Sequence, residues 1–254
     1  MKIAVAQVRG QIDDPAANAS KAKMLINNTD VDLLVFPEMF ATGRDIKCGQ
    51  FMKNMDALFF GKVNANLKAK KCSMLFGCPA EESGKLYNCA ILTDGDNTQI
   101  YRKIHLSGDT RFPEKKIFAA GTEPVIFECG GMSIGVAAGN DIMFNELFRW
   151  YASRDVDMII CIAAVPHDTM EMYEKLLPAR CAENSVEMIF VNMVGPDSGY
   201  VMAGNSRYIS ANGNIIESCS DSSDVRIIKT DEDRIKRSKA DREALKEAWK
   251  ERKL

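Results

Sequence analysis

The feature that most constrains this chain is a set of short, nearly unbroken apolar runs. "DLLVFPE" (Asp32–Glu38), "VDMIICIAA" (Val156–Ala164) and "EMIFVNMV" (Glu187–Val194) are too short to be long helices and do not alternate apolar with polar. A strand with one wet face alternates, so these read as strands covered on both faces. "KIAVAQV", "SMLFGCP", "LYNCAILT", "PVIFE" and "SIGVAA" extend the series. Between them lie amphipathic segments, predicted as helices from Pro15 to about Asn27, near Asp56–Lys71, over about Met143–Ser153 and over about Met170–Ser185. "DGDN" (Asp94–Asn97) and "ANGN" (Ala211–Asn214) are hairpin turn signals. Hairpins mixed with β-α units predict an α/β sandwich, two sheets with helices outside them. No linker or repeat divides the sequence, so 1–254 is expected to be a single domain. Residues 230–254 form a charged C-terminal helical extension, in which Leu245 and Trp249 would share a face. That stripe is either one side of a solvated helix or a subunit contact.

Charge and cysteine usage narrow the function classes. The formal net charge is −2, and no basic stripe is interleaved with aromatics, which argues against a nucleic-acid partner. No run reaches the roughly 18 apolar residues of a membrane span, and "MKIAVAQVRGQ" lacks the apolar core of a signal peptide. A cytoplasmic protein without a membrane partner is expected. Cys48, Cys72, Cys78, Cys89, Cys129, Cys161, Cys181 and Cys219 are eight in number. Several fall in apolar runs, so they read as buried thiols rather than disulfides. With no C-x-x-C pair and only His105 and His167, no metal site is expected.

Four stretches carry chemistry. "VFPEMF" delivers Glu38 at the carboxyl end of a buried strand, where sites collect in α/β sheets. "YRKIHL" sets Lys103 among apolar neighbours, where a fixed cation can stabilise an oxyanion. "RFPEKKIFAAG" supplies Glu114, able to orient or pair with that lysine. "SIGVAAGNDIMFNEL" (Ser133–Leu147) reads as strand, sharp turn at Gly139, then a helix opened by Asp141. Such an elbow mounts a nucleophile in many hydrolases, yet Ala137, Ala138, Gly139 and Asn140 offer nothing that attacks a carbonyl. Singly, each of these residues is commonplace.

Their order is not. With "PARCAENSVEMIFVN" and "AGNSRYISANGNII" downstream, the chain resembles the nitrilase superfamily of carbon–nitrogen hydrolases, and its compact amidase-like members in particular, from Met1 to about Asp233. The resemblance implies a four-layer α-β-β-α sandwich, pairing of subunits into a homodimer or higher homo-oligomer, no cofactor, and a Glu–Lys–Cys catalytic set. Matched residue by residue, Glu38 takes the general-base position, Lys103 that of the intermediate-stabilising lysine, and Glu114 that of the second glutamate. The cysteine position falls at Gly139. Asn140 replaces an aromatic and Asn145 a proline, while Asp141, Phe144, Glu146 and Arg149 are kept.

Glycine cannot form an acyl-enzyme. Three readings follow. The chain is a degenerate hydrolase binding a small amide, nitrile or carboxylate ligand; or an active amidase for a small linear amide whose cysteine was exchanged by engineering; or a hydrolase in which Glu38 activates water. Departures at Asn140 and Asn145 as well favour the first. Lys103 and the backbone N–H of Asn140 would still face a carbonyl oxygen in any of them.

Overall fold

β-Strand 1 shows how the sequence builds the layers. In "KIAVAQ" the larger Ile3 and Val5 alternate with Ala4 and Ala6, and all four are buried. One set faces a second sheet and the other faces helices, so neither can be polar.

The computed structural model describes residues 1–44, 55, 59–109 and 112–251. In chain order the elements are β1 (Lys2–Gln7), α1 (Pro15–Asn28), β2 (Leu33–Val35), α2 (Gly61–Lys70), β3 (Ser73–Glu82), β4 (Lys85–Thr93), β5 (Thr98–Arg102) and α3 (Glu114–Ile117). Then follow β6 (Ile126–Cys129), β7 (Met132–Ala138), a 3-10 turn (Gly139–Met143), α4 (Asn145–Ser153), β8 (Met158–Ala163) and α5 (His167–Asn184). The rest comprises β9 (Glu187–Asn192), β10 (Val194–Asp197), β11 (Tyr200–Ala203), β12 (Arg207–Ile209), β13 (Ile215–Ser218), β14 (Asp224–Lys229) and α6 (Glu232–Glu251).

Two six-stranded mixed sheets form, ordered β14-β1-β2-β3-β4-β5 and β13-β12-β9-β8-β7-β6, with β10-β11 a separate ribbon. Ile3, Val5, Leu33, Val35 and Leu75 of the first sheet pack against Phe127, Val136, Ile160 and Val191 of the second. On the outer face of the first sheet, Ala19, Ala22 and Ile26 of α1 and Val63 and Leu67 of α2 cover Leu34, Phe36 and Phe76. On the outer face of the second, Phe148 and Tyr151 of α4 and Tyr173 and Leu177 of α5 cover Ile159, Cys161 and Phe190. The layers are therefore α-β-β-α.

The structure moves several boundaries. The helix after the elbow begins at Asn145, because Gly139–Met143 is a 3-10 turn. α5 begins at His167, just after Pro166, and carries Pro178 inside it. The run "EMIFVNMV" ends its strand at Asn192 and re-enters as the β10-β11 ribbon. β14 pairs antiparallel with β1. The expected helix from Asp56 is described from Gly61 onward, and Asp56, Cys48 and the Trp249 side chain lie outside the described residues.

α6 does not dock through an apolar stripe alone. Arg242 is fully buried and donates to the carbonyls of Ser185 at 3.0 Å and Val156 at 2.9 Å, the entries to β9 and β8. Arg234 pairs with buried Glu187, which also accepts from the Tyr208 hydroxyl. Arg242→Met leaves two buried carbonyls without donors and is expected to cost on the order of 3 kcal/mol in urea unfolding, with Arg242→Lys recovering part of it.

Candidate active site

Glu38 is placed by a strained turn. After β2 the chain folds over β3, with the Gly77 N–H donating to the Pro37 carbonyl at 3.1 Å and the Ala41 N–H to the Gly77 carbonyl at 3.1 Å. A Cβ on Gly77 would lie 2.1 Å from the Met39 nitrogen and 2.5 Å from the Glu38 Cα, so a bare backbone is required there. Met39 itself adopts φ +58°, a left-handed conformation disfavoured for a side-chain-bearing residue. Backbone strain of this kind persists where the surroundings enforce it.

Lys103 follows β5 and is 3 % exposed. Its Nζ donates to Glu38 Oε1 at 2.7 Å and to Glu114 Oε1 at 2.9 Å. Asn88 of β4 donates its amide to the same two oxygens, at 2.7 and 2.9 Å. The second Glu114 oxygen accepts the Ser107 N–H at 2.6 Å, and the second Glu38 oxygen accepts the Ala164 N–H at 3.2 Å. One ammonium thus holds two buried carboxylates, and a lysine has three donors, so one remains for a further acceptor.

The charges are tuned by opposing effects. Burial alone would lower the Lys103 pKa, but the Glu114 and Glu38 carboxylates outweigh it and hold it above its usual value of 10.5. Burial would raise Glu114, but the Lys103 charge and the Ser107 N–H hold it below 4.5. A carboxyl lowered by folding contributes stability above its unfolded pKa and loses it as pH falls through the folded value. A lysine raised by folding contributes below its unfolded pKa and loses it on the alkaline side. The stability advantage of the wild type over Glu114→Gln is therefore expected to be level from about pH 6 to 9 and to shrink below about pH 4.5. Urea titrations across that range measure it.

The elbow comes from the second sheet. Asp141, fully buried, accepts the Ala138 N–H at 2.9 Å, the Tyr101 hydroxyl at 2.7 Å and the His105 N–H at 2.9 Å. It ties the turn to the end of β5, the segment that carries Lys103. Asn140 donates its amide to the His105 carbonyl at 3.2 Å. Gly139 sits at φ +43°. A Cβ built on it would lie 2.6 Å from Glu38 Oε2 and 3.0 Å from Lys103 Nζ. A side chain at position 139 would therefore point directly between the carboxylate and the ammonium.

The seven described cysteines are free and buried. Cys161 is the thiol nearest in kind to a substitute nucleophile, since it pairs in register with Ala137 just before the elbow. Burial, together with the Asp141 and Glu38 charges, drives its pKa well above 9.0, so it stays a thiol. Cys72, remote from the elbow, is likewise pushed up to about 12 by burial.

Glu38, Lys103, Glu114, Gly139 and Asn140 line one cavity of about 180 Å³. The structure brings together all five residues singled out in the sequence. It adds Asn88, Ser107 and the Ala164 N–H, for which the sequence offered one signal: a lone asparagine in the apolar strand "LYNCAILT".

Architecture and layer order place the molecule among the α/β sandwiches of nitrilase type. A Xanthomonas campestris CN-hydrolase superfamily protein with an arsenic adduct in its active site superimposes with TM-score 0.85 at 23% identity, covering 97% of this chain and 96% of that one. A Cys-to-Ala mutant of the amidase from Nesterenkonia sp. AN1, in complex with butyramide, gives 0.81 at 23% identity, covering 98% and 97%. The carbon–nitrogen hydrolase family profile matches residues 2–240, and the chain belongs to that family. It is 28% identical over 230 residues to a probable nitrilase of Schizosaccharomyces pombe, covering 85% of this chain and 82% of that protein. It is 24% identical over 253 residues to an (R)-stereoselective amidase of a Pseudomonas species, covering 97% and 91%.

Proposed function

We propose that this chain is a carbon–nitrogen hydrolase whose nucleophile is absent, and that it binds a small amide or carboxylate ligand without forming an acyl-enzyme. The observation that carries the reading is the position of the Gly139 Cβ vector, which ends 2.6 Å from Glu38 Oε2 and 3.0 Å from Lys103 Nζ. That is where a thiol with a base on one side and a cation on the other would stand, and the residue is glycine. What remains suits binding. The third donor of Lys103 and the Asn140 backbone N–H are the groups that would take an amide oxygen, and Glu38 would accept from an amide nitrogen or water.

Butyramide, the ligand named for the Nesterenkonia protein, is the probe. The protein is expected to shift its thermal midpoint upward with millimolar butyramide, release no ammonia from it, and show no mass increase with acrylamide under native conditions. An adduct on any cysteine that depends on Glu38, or ammonia release abolished by Glu38→Gln, would overturn the reading; the latter would establish attack by water instead. We further propose that the chain forms a homodimer through its helical layer, as the family resemblance and the Leu245–Trp249 spacing of the C-terminal helix suggest. Sedimentation showing monomer alone at micromolar concentration would refute this.

A further inference from the structure

The cavity wall holds a second cation that the ion cluster does not use. Arg44 lies six residues after Glu38, at the end of the same turn-rich segment "EMFATGR", and is 8% exposed. Its guanidinium rests 4.2 Å from the centre of the Phe112 ring and 5.2 Å from that of Tyr200, and all three residues line the cavity. Nη1 donates to the Met202 sulfur at 3.7 Å, a weak acceptor. Among the described residues Arg44 makes no ion pair within 4 Å. Asp109, the remaining carboxylate on this wall, accepts the Tyr200 hydroxyl at 2.8 Å. Asp197 is held above 3.8 by burial, against the Ser198 hydroxyl and the charge and backbone N–H of Arg44, and it makes no ion pair with the guanidinium within 4 Å.

A guanidinium this deeply buried normally spends its five donors on carboxylates or carbonyls. Here the one side-chain donor contact described is the weak one to Met202, and the residue lines a cavity. Its flat fork, resting against aromatic rings, matches a planar carboxylate through two parallel hydrogen bonds. The cavity thus has Lys103 and Asn140 and, besides them, Arg44 in its wall, with Met39, Met143 and Val165 among the apolar lining. At about 180 Å³ it admits only a short molecule.

We infer that Arg44 is a carboxylate-binding residue, and that the ligand of this cavity is a short-chain dicarboxylic acid monoamide, its amide at Lys103 and its carboxylate at Arg44. This rests on the amide-binding reading above and names the ligand class for it.

Succinamate and butyramide test it, because they match in chain length and differ in a terminal carboxylate against a methyl. Titration calorimetry on the wild-type protein is expected to show succinamate binding at least about tenfold tighter, the worth of a hydrogen-bonded charge. Arg44→Met should abolish that preference and leave butyramide within about twofold. Arg44→Lys, which keeps charge without the fork, should retain part of it. Equal wild-type affinity for the two ligands overturns the inference while leaving amide binding intact. An equal loss for both ligands in Arg44→Met likewise overturns it, since Arg44 would then only support the wall. Binding of neither ligand overturns both this inference and the reading beneath it. If Arg44→Met fails to fold, the wild-type comparison decides.

Discussion

Gly139→Cys is expected to give a thiol that iodoacetamide alkylates about tenfold or more faster than the same thiol in a Gly139→Cys, Glu38→Gln double variant. The new Cβ would start 2.6 Å from Glu38 Oε2 and 3.0 Å from Lys103 Nζ. Both neighbours are ends of side chains, so the carboxylate withdraws by a few tenths of an ångström and then sits beside the sulfur. There it accepts the thiol proton while Lys103 favours the thiolate. The cost is conformational: φ +43° suits glycine and costs a side-chain-bearing residue about 1–2 kcal/mol. Reactivity should return before turnover, because Asn140 leaves the ligand less closely held and a misplacement of about 1 Å costs on the order of a hundredfold. Equal alkylation rates in the two variants would show that Glu38 and Lys103 are not a preserved catalytic pair.

Lys103→Met should have the largest effect on stability. It strips the shared ammonium from Glu38 and Glu114, whose Oε1 atoms then converge on the Asn88 amide alone. Removing one partner of a buried ion cluster costs about 3–5 kcal/mol. For a chain of this size that is a fall in thermal midpoint on the order of 10 °C. The deficit should shrink at about pH 5, where a proton shared between the two carboxylates replaces the lost cation. Unfolding curves of wild type and variant at pH 7.5 and pH 5 decide it, and a deficit unchanged between them would mean that the carboxylates do not repel each other.

Much of this was legible from the residues. The uninterrupted apolar runs announce sheets covered on both faces, and Ile3, Val5, Ala4 and Ala6 fill the two cores they predict. That Glu38, Lys103, Glu114 and Gly139 share one cavity was implied by the order of their motifs and the family resemblance it carries, since no one of these residues is distinctive alone. What escaped has physical causes. Met193 looks like strand continuation by composition, whereas the chain leaves the sheet after Asn192, whose side chain spends its amide on the Val165 and Gly204 carbonyls. β14, "DVRIIK", hides before a charged tail because its Ile227 is half exposed on an edge strand. Arg44 and Arg242 are arginines that composition assigns to the surface, and only tertiary packing reveals that each is buried.

The pairing of β14 with β1 bears on how the protein is made. Ile3 lies against Ile228 and Val5 against Arg226, so β1 waits during synthesis for β14, more than 200 residues later. β1 also needs β2, but its other edge exposes unpaired N–H and C=O groups until Lys229 has emerged, and such an edge accepts strands from any chain nearby. Closing a loop that spans most of the sequence carries an entropy cost that local hairpins avoid. The second sheet draws its strands from residues 126 to 218 and can assemble first. The nascent first sheet is the half whose edge stays open longest during synthesis.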